Sequence, residues 1–335
     1  MNIIKVSIIV PCKNESSHIR QFLDSIIAQD ISKDHLEMII SDGQSSDNTI
    51  AIISEYTQKF PWIKCITNNK EVTPSGLNQA IKISSGDFIV RLDVHSYYPT
   101  DYVSKCIQHI ESSGSANVGG YVVIKPQKDT LLGHSIAFAL SHKFGAGSAQ
   151  YRLKPTKSIH VDTVPFGCFK RSIFDKVGLF NEDYIRNQDY ELNQRIINAG
   201  ETILLCSDIY CIYFCRSTFF GFAKHCYKNG YWITYPLQFS FQSLTLRHLI
   251  PLFFTCAILT TPMLITVPLL KDVLMVLFLL YFMIALVCAI QSINKLKHPF
   301  ALITVPIIFL VLHFSFGLGS LFGFFGILSQ QLKRA

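Results

Sequence analysis

Between Leu249 and Leu328 the chain carries only four formally charged residues, Lys271, Asp272, Lys295 and Lys297. So long a stretch of nearly uncharged sequence must hide its apolar side chains in protein or in lipid. It resolves into three apolar segments, residues 249–270, 273–290 and 299–328. The first two are long enough to cross a hydrocarbon core of roughly 30 Å. The third crosses with tilt or breaks at its glycines. Gly319 and Gly323 stand four apart within it, the spacing that lets helices approach closely. Arg247 before the first segment, and Lys295 with Lys297 after the second, belong on the cytosolic side. Three full spans would export the basic tail QQLKRA, whereas two spans and a re-entrant segment would not. The expected organisation is therefore a globular domain over residues 1–235 and a transmembrane region over 236–335, with two or three membrane segments.

The globular part alternates between strand and helix periods. Residues 6–10 form a continuous β-branched run, as in a strand buried on both faces. Residues 16–29 then place Ile19, Phe22, Leu23, Ile26 and Ile27 at helical spacing. The same alternation gives strands at 36–40, 63–67 and 88–92, with helices at 47–56 and 75–83 between them. This order predicts a parallel α/β sheet with right-handed crossovers. Beyond it, 119–126 reads as a strand, 143–160 as a mobile loop, 164–180 as a strand entering a helix, and 189–199 as an amphipathic helix stopped by Gly200. The ten cysteines include no CxxC pair, and Cys206, Cys211 and Cys215 lie in an apolar run, which indicates reduced core thiols. The short N-terminal apolar run meets Lys13 and Glu15 at once and reads as the first strand rather than a secretion signal. The net charge of +7 comes from scattered Lys and Arg without a nucleic-acid motif, so no nucleic-acid partner is expected.

Ligands of parallel α/β sheets bind beyond the carboxyl ends of the strands, and Pro11–Glu15, Asp42 and Asp93-x-His95 all fall there. The loop PCKNES after the first strand has no glycine, which excludes a dinucleotide fingerprint, and neither GxxxxGK[ST] nor GxSxG occurs. Asp42 is either a turn former before Gly43 or an acceptor for a base or ribose. Asp93 and His95 are either a strand cap with a surface histidine or, if the segment stays extended, two donors on one side for Mn²⁺ or Mg²⁺. Asp189 opens a helix, as a plain cap or as a carboxylate held ionised to act as general base.

Together, VSIIVPCKNE at 6–15, SDGQSSDNT at 41–49, SGDFIVRLDVHS at 85–96 and the block at 164–200 resemble the family 2 glycosyltransferases of GT-A (Rossmann-like) fold. The wording RLDVH with RNQDYELN is most similar to the succinoglycan-type enzymes of bacterial exopolysaccharide synthesis, which carry C-terminal membrane helices. The resemblance implies an α/β catalytic domain with Pro11 and Glu15 beside the nucleotide and Asp42 reading the base. It places Asp93 and His95 on the metal-binding D-x-D motif, Asp93 also binding the nucleotide, with a histidine where the second aspartate usually stands, and makes Asp189 the catalytic base. Gln188 stands where many relatives have glutamate, and KHCYKNGYW at 224–232 replaces the Q-x-x-R-W signature of processive synthases, which implies one sugar per encounter. The implied reaction is inverting and metal-dependent. It moves sugar from a nucleotide-sugar, UDP-linked by resemblance, to a polyprenyl-linked saccharide. The enzyme would be a multi-pass inner-membrane protein with a cytoplasmic catalytic domain. Residues 219–235, aromatic with Lys224 and Lys228, are either an interfacial helix guiding the anionic lipid or a soluble helix beneath the sheet. A polyprenyl-phosphate glycosyltransferase and a sugar nucleotidyltransferase are the alternatives. The second would want a glycine- and arginine-rich first loop, which PCKNES is not.

Overall fold

The computed structural model describes residues 5–147, 149–238 and 246–334. The chain divides into two compact units, Met1–Val123 with Leu153–Tyr213, and Ile124–Arg152 with Phe214–Ala335. Segment 124–152, expected in the catalytic domain, thus folds with the C-terminal helices.

The sheet contains β1 (Val6–Cys12), β2 (Leu36–Asp42), β3 (Ile63–Thr67), β4 (Phe88–Arg91), β5 (Ser96–Tyr97), β6 (Asn117–Pro126), β7 (Ile159–His160), β8 (Cys168–Lys170) and β9 (Ile203–Cys215). The helices accompanying it in the first unit are α1 (Ile19–Ile27), α2 (Thr49–Lys59), α3 (Thr73–Ile83) and α4 (Tyr102–Ser113). The strand order is β3-β2-β1-β4-β8-β6-β9-β5, with β7 on β9. The expected parallel sheet holds for β3, β2, β1 and β4. It then turns antiparallel, because β8 pairs with both β4 and β6 in the opposite sense. Val6, Ile8, Ile9 and Val10 are fully buried, which is why β1 reads as an unbroken apolar run. Phe22, Leu23 and Ile26 of α1 and Val103, Cys106 and Ile110 of α4 are likewise buried. The ten cysteines are free thiols, eight of them buried. Burial pushes the Cys206 thiol up to about 12, as expected of an inert core group.

The second unit contains α5 (Leu131–Leu140) and α6 (Lys143–Ala146), and the sheet unit α7 (Ser172–Val177) and α8 (Gln188–Asn198). The remaining helices of the second unit are α9 (Phe219–Thr234), α10 (Leu246–Leu264), α11 (Pro268–Leu296) and α12 (Ala301–Arg334). Part of the segment read as a loop at 143–160 is structured, as α6 and β7. By length and composition, Pro268–Leu296 and Ala301–Ile327 can cross a membrane, and His248–Leu264 is a shorter apolar helix. The helix expected within 219–235 is present as α9, and it lies against α12 within the second unit. The glycine pair at 319 and 323 makes this contact. A Cβ on Gly319 would sit 2.0 Å from the carbonyl oxygen of Tyr227, and one on Gly323 would sit 2.2 Å from Thr234 Oγ1. Gly230 answers from the facing helix, 1.9 Å from the Phe316 carbonyl oxygen by the same construction. The Thr234 hydroxyl donates to the Ser320 carbonyl at 2.7 Å across this seam.

Candidate active site

The carboxyl ends of β1, β2 and β4 lie side by side, and each delivers polar residues to one edge of the sheet. Pro11 pairs with Ser41 and Cys12 with Asp42 in the β1–β2 register. Asp42 is buried, and its two carboxylate oxygens accept from the Ser45 N–H at 2.9 Å and the Ser45 hydroxyl at 2.6 Å. It therefore forms the turn, and whatever it offers a base is offered from a fixed position. The β1–α1 turn is tied to the same loop. Asn14, at φ +55°, donates its N–H to Ser45 Oγ at 2.8 Å, and its side-chain oxygen accepts from the Ser46 N–H at 2.8 Å. Glu15 donates its N–H to Thr49 Oγ1 at 2.8 Å. These bonds set the direction in which the Glu15 carboxylate leaves the turn.

Asp93 and His95 do not project together from a strand. β4 ends at Arg91, and the segment closes into a turn in which the Ser96 N–H donates to the Asp93 carbonyl at 3.2 Å. The His95 N–H donates to Asp93 Oδ1 at 3.1 Å. The alternation that would point residues two apart to one side applies only to extended chain. His95 instead reaches Glu15, with Nε2 2.8 Å from Oε1. Its ring meets the edge of His18, with centroids 4.7 Å apart. Glu15, His18 and His95 present ligand atoms that all lie within 4.8 Å of one another. This donor set, one carboxylate and two imidazoles, fits a divalent cation.

Asp189 occupies the first turn of α8, behind Asn187 at φ +61°. Its Oδ2 lies 3.3 Å from Arg91 Nη1, and Arg91 Nη2 lies 3.6 Å from Asp93 Oδ2. Arg91 is 4% exposed, and its guanidinium rests over the Phe166 ring at 5.0 Å. Phe166 itself has φ +52°, a conformation that costs a bulky residue about 1–3 kcal/mol and collects at functional sites. Burial lifts the Asp189 carboxyl above the usual carboxylate range; Arg91 pulls it back and Asp93 pushes it up again. The helix N-terminus therefore does not hold Asp189 at an ordinary value, as its position in sequence suggested. Burial alone would lower the Arg91 guanidinium, but Asp189 and Asp93 more than offset this and hold it charged.

The model of the family described as "Glycosyl transferase family 2" matches residues 7–178, more than half of the chain. The chain is a family 2 glycosyltransferase. It is an enzyme that uses a nucleotide-sugar, and its mixed sheet is the GT-A arrangement. The glycosyltransferase is 29% identical over 233 residues to the dolichyl N-acetyl-alpha-D-glucosaminyl phosphate 3-beta-D-2,3-diacetamido-2,3-dideoxy-beta-D-glucuronosyltransferase of Methanococcus voltae, covering 67% of this chain and 71% of that one. It is 25% identical over 231 residues to the succinoglycan biosynthesis protein ExoA of Rhizobium meliloti, covering 66% and 69%. Among solved structures, its fold matches the mannosyltransferase PcManGT of Pyrobaculum calidifontis in complex with GDP-Man and Mn²⁺. That match has a TM-score of 0.60 at 15% identity over 96% of this chain and 87% of that one.

Two residues that stand among the candidate site residues escape a reading of motifs. Arg91 carried a signal, a charge closing the otherwise apolar strand FIVR. His18 carried only its spacing, three residues after Glu15, on the last residue before α1.

Proposed function

We propose that this glycosyltransferase transfers one sugar, with inversion, from a nucleotide-sugar to a hydroxyl of a polyprenyl-linked saccharide during extracellular polysaccharide synthesis. The observation that carries the reading is the buried Arg91 guanidinium, which faces both Asp189 and Asp93. The residue with the chemistry of a general base and the residue assigned to the nucleotide are thereby held around one cation. In the reaction, the acceptor hydroxyl attacks the anomeric carbon as its proton passes to Asp189. The bond from that carbon to the diphosphate oxygen breaks, and its electron pair leaves on the nucleoside diphosphate. One displacement inverts the centre, so no second nucleophile is required. Pro11, Glu15 and Asp42 border the nucleotide at the strand ends. A divalent cation, Mn²⁺ or Mg²⁺, at the turn carrying Asp93 and His95 would supply positive charge to the departing diphosphate.

The membrane reading rests on α11 and α12. Leu269 is 72% exposed and Met283 63% exposed on α11, an apolar face that water disfavours and acyl chains do not. The catalytic unit then lies on the cytosolic side of the inner membrane, where Lys295 and Lys297 are also expected. The names of the two relatives, one acting on a dolichyl-linked sugar phosphate and one in succinoglycan synthesis, support a lipid-linked acceptor.

The test is nucleoside diphosphate release from a panel of UDP- and GDP-sugars by the full-length chain in detergent. It is run with a polyprenyl-diphosphate saccharide or a polyprenyl phosphate as acceptor. Release from one donor, with the sugar on a saccharide hydroxyl in inverted configuration, is expected. Asp189→Asn is expected to lower it by about 10²–10⁴-fold, the usual contribution of a general base. Full activity in that variant refutes the assignment, and sugar on the lipid phosphate refutes the acceptor.

A further inference from the structure

Glu15, His18 and His95 come from two separate turns, one after β1 and one after β4, and meet as a carboxylate between two imidazoles. Glu15 Oε1 lies 2.8 Å from His95 Nε2, and Oε2 lies 3.6 Å from His18 Nδ1. Ligands bound at about 2.1 Å to one metal ion stand roughly 3.0–3.4 Å apart; the two carboxylate contacts lie near that spacing, and one ligand atom from each of the three residues lies within 4.8 Å of the others. All three side chains are partly accessible, at 15%, 27% and 31% exposed for Glu15, His18 and His95. Positions on the ion would thus remain open to water or a diphosphate oxygen. Asp93 is oriented elsewhere, with Oδ1 accepting from the His95 N–H and Oδ2 facing Arg91.

We infer that Glu15, His18 and His95 form a site for a first-row transition-metal ion and select such an ion over Mg²⁺, with Asp93 outside the ligand set. Imidazole nitrogen suits Fe²⁺, Ni²⁺ and Zn²⁺, and site affinity rises along the first row from Mn²⁺ through Co²⁺, whereas Mg²⁺ takes oxygen ligands and gives up its water reluctantly. Two nitrogens among three protein donors therefore shift selectivity away from Mg²⁺. The inference rests on the proposed function only in setting this ion beside the nucleotide.

The test is titration of the tag-free, full-length chain in detergent with Co²⁺, read by visible absorption and calorimetry without donor or acceptor. The His109→Ala background removes the other grouping of possible ligands among the described residues, His109, Cys206 and Asp208. In that background one Co²⁺ is expected, resistant to roughly a hundredfold excess of Mg²⁺ and displaced by Zn²⁺. His18→Ala, His18→Gln and Glu15→Gln should each weaken it by about ten- to a hundredfold or more, since even outer-shell losses do so. Asp93→Asn should leave affinity within about threefold, because that side chain is not a ligand and its amide keeps the Oδ1 acceptor for the His95 N–H. Thermal melts of each variant establish that it is folded. Unchanged Co²⁺ affinity in both His18 variants, loss of binding in Asp93→Asn, or ready displacement by Mg²⁺ would each overturn the inference. Because no transfer is measured, failure here is separate from failure of the Asp189→Asn assay.

Discussion

Replacing Arg91 with methionine removes the only charge of β4 while keeping a long, flexible apolar stem. The guanidinium stands 3.3 Å from Asp189 and 3.6 Å from Asp93. At an effective dielectric of about 20, the first separation corresponds to about 5 kcal/mol of attraction. Both carboxylates keep partial contact with solvent, at 23% and 30% exposed for Asp189 and Asp93. Screening at that exposure leaves about half of it, and losing that attraction raises the Asp189 carboxyl further. The sign follows from the role proposed for Asp189. A general base works ionised, so activity is present above its pKa and lost as pH falls through it. In the wild type this acid limb already lies above the ordinary carboxylate value of 3.8, because burial raises it. Arg91→Met should move the limb of kcat/KM further to the alkaline side. Much of the lost activity should return when the pH is raised. Arg91→Lys keeps the charge and should leave the limb near its wild-type position while lowering kcat, since an ammonium cannot face two carboxylates as a fork does. The assay is the pH profile of nucleoside diphosphate release, with melting curves to establish folding. A uniform loss at every pH with the limb unmoved would refute the reasoning and leave Arg91 a packing residue.

Two further changes test what holds the site and the helical unit. Asn193 is fully buried on α8, donates to Thr163 Oγ1 at 2.8 Å and accepts from the Asn117 side chain at 2.8 Å. Asn193→Leu should cost about 1–3 kcal/mol in denaturant unfolding, the penalty for stranding buried polar partners; a stability equal to wild type would show that the network contributes nothing. Gly319→Leu should lower the melting temperature of the chain in detergent, because its Cβ would fall 2.0 Å from the Tyr227 carbonyl and overpacking costs about 1–3 kcal/mol or more. Gly326→Ala, whose nearest neighbour would be at 3.3 Å, should be tolerated; equal melting of the two variants would contradict the seam.

The parallel half of the sheet was legible because strands buried on both faces write themselves as apolar runs, as Val6–Cys12 and Phe88–Arg91 do. The turn to antiparallel pairing was not, since β8 is three residues long and reaches β4 from far along the chain. α5 was missed for a different reason. LLGHSIAFAL is apolar nearly all round and contains a glycine, so it shows neither the contrast of a surface helix nor a clean cap. The glycine pair in α12 did announce a close contact, but spacing cannot name the facing element, which is α9. In the site, Asp42, Asp93 and Asp189 could be chosen one by one because strand ends and helix starts are readable positions. Their mutual geometry could not, because it passes through Arg91 and Glu15. The expectation for Asp93 and His95 misread the local chain: hydrogen bonds from the His95 N–H to Asp93 Oδ1 and from the Ser96 N–H to the Asp93 carbonyl fold the motif into a turn, and the imidazole meets Glu15.

That fold of the motif bears on why a charge should close a buried strand at all. A buried ion pair is weak evidence for stability, because the desolvation of its members can exceed their attraction. A leucine following Phe88, Ile89 and Val90 would satisfy β4 at least as well, and Arg91 Nε has no hydrogen-bond partner among the described residues. The packing around Arg91 is itself strained, since Phe166 turns its ring beneath the guanidinium from a left-handed backbone conformation. Two unfavourable features meeting at one side chain are not accounted for by the needs of the fold. They are accounted for if the guanidinium keeps Asp189 within reach of ionisation at neutral pH while burial and Asp93 push the other way. The same burial that makes Asp189 a stronger base would, without Arg91, lift its carboxyl further and narrow the pH range over which it can act.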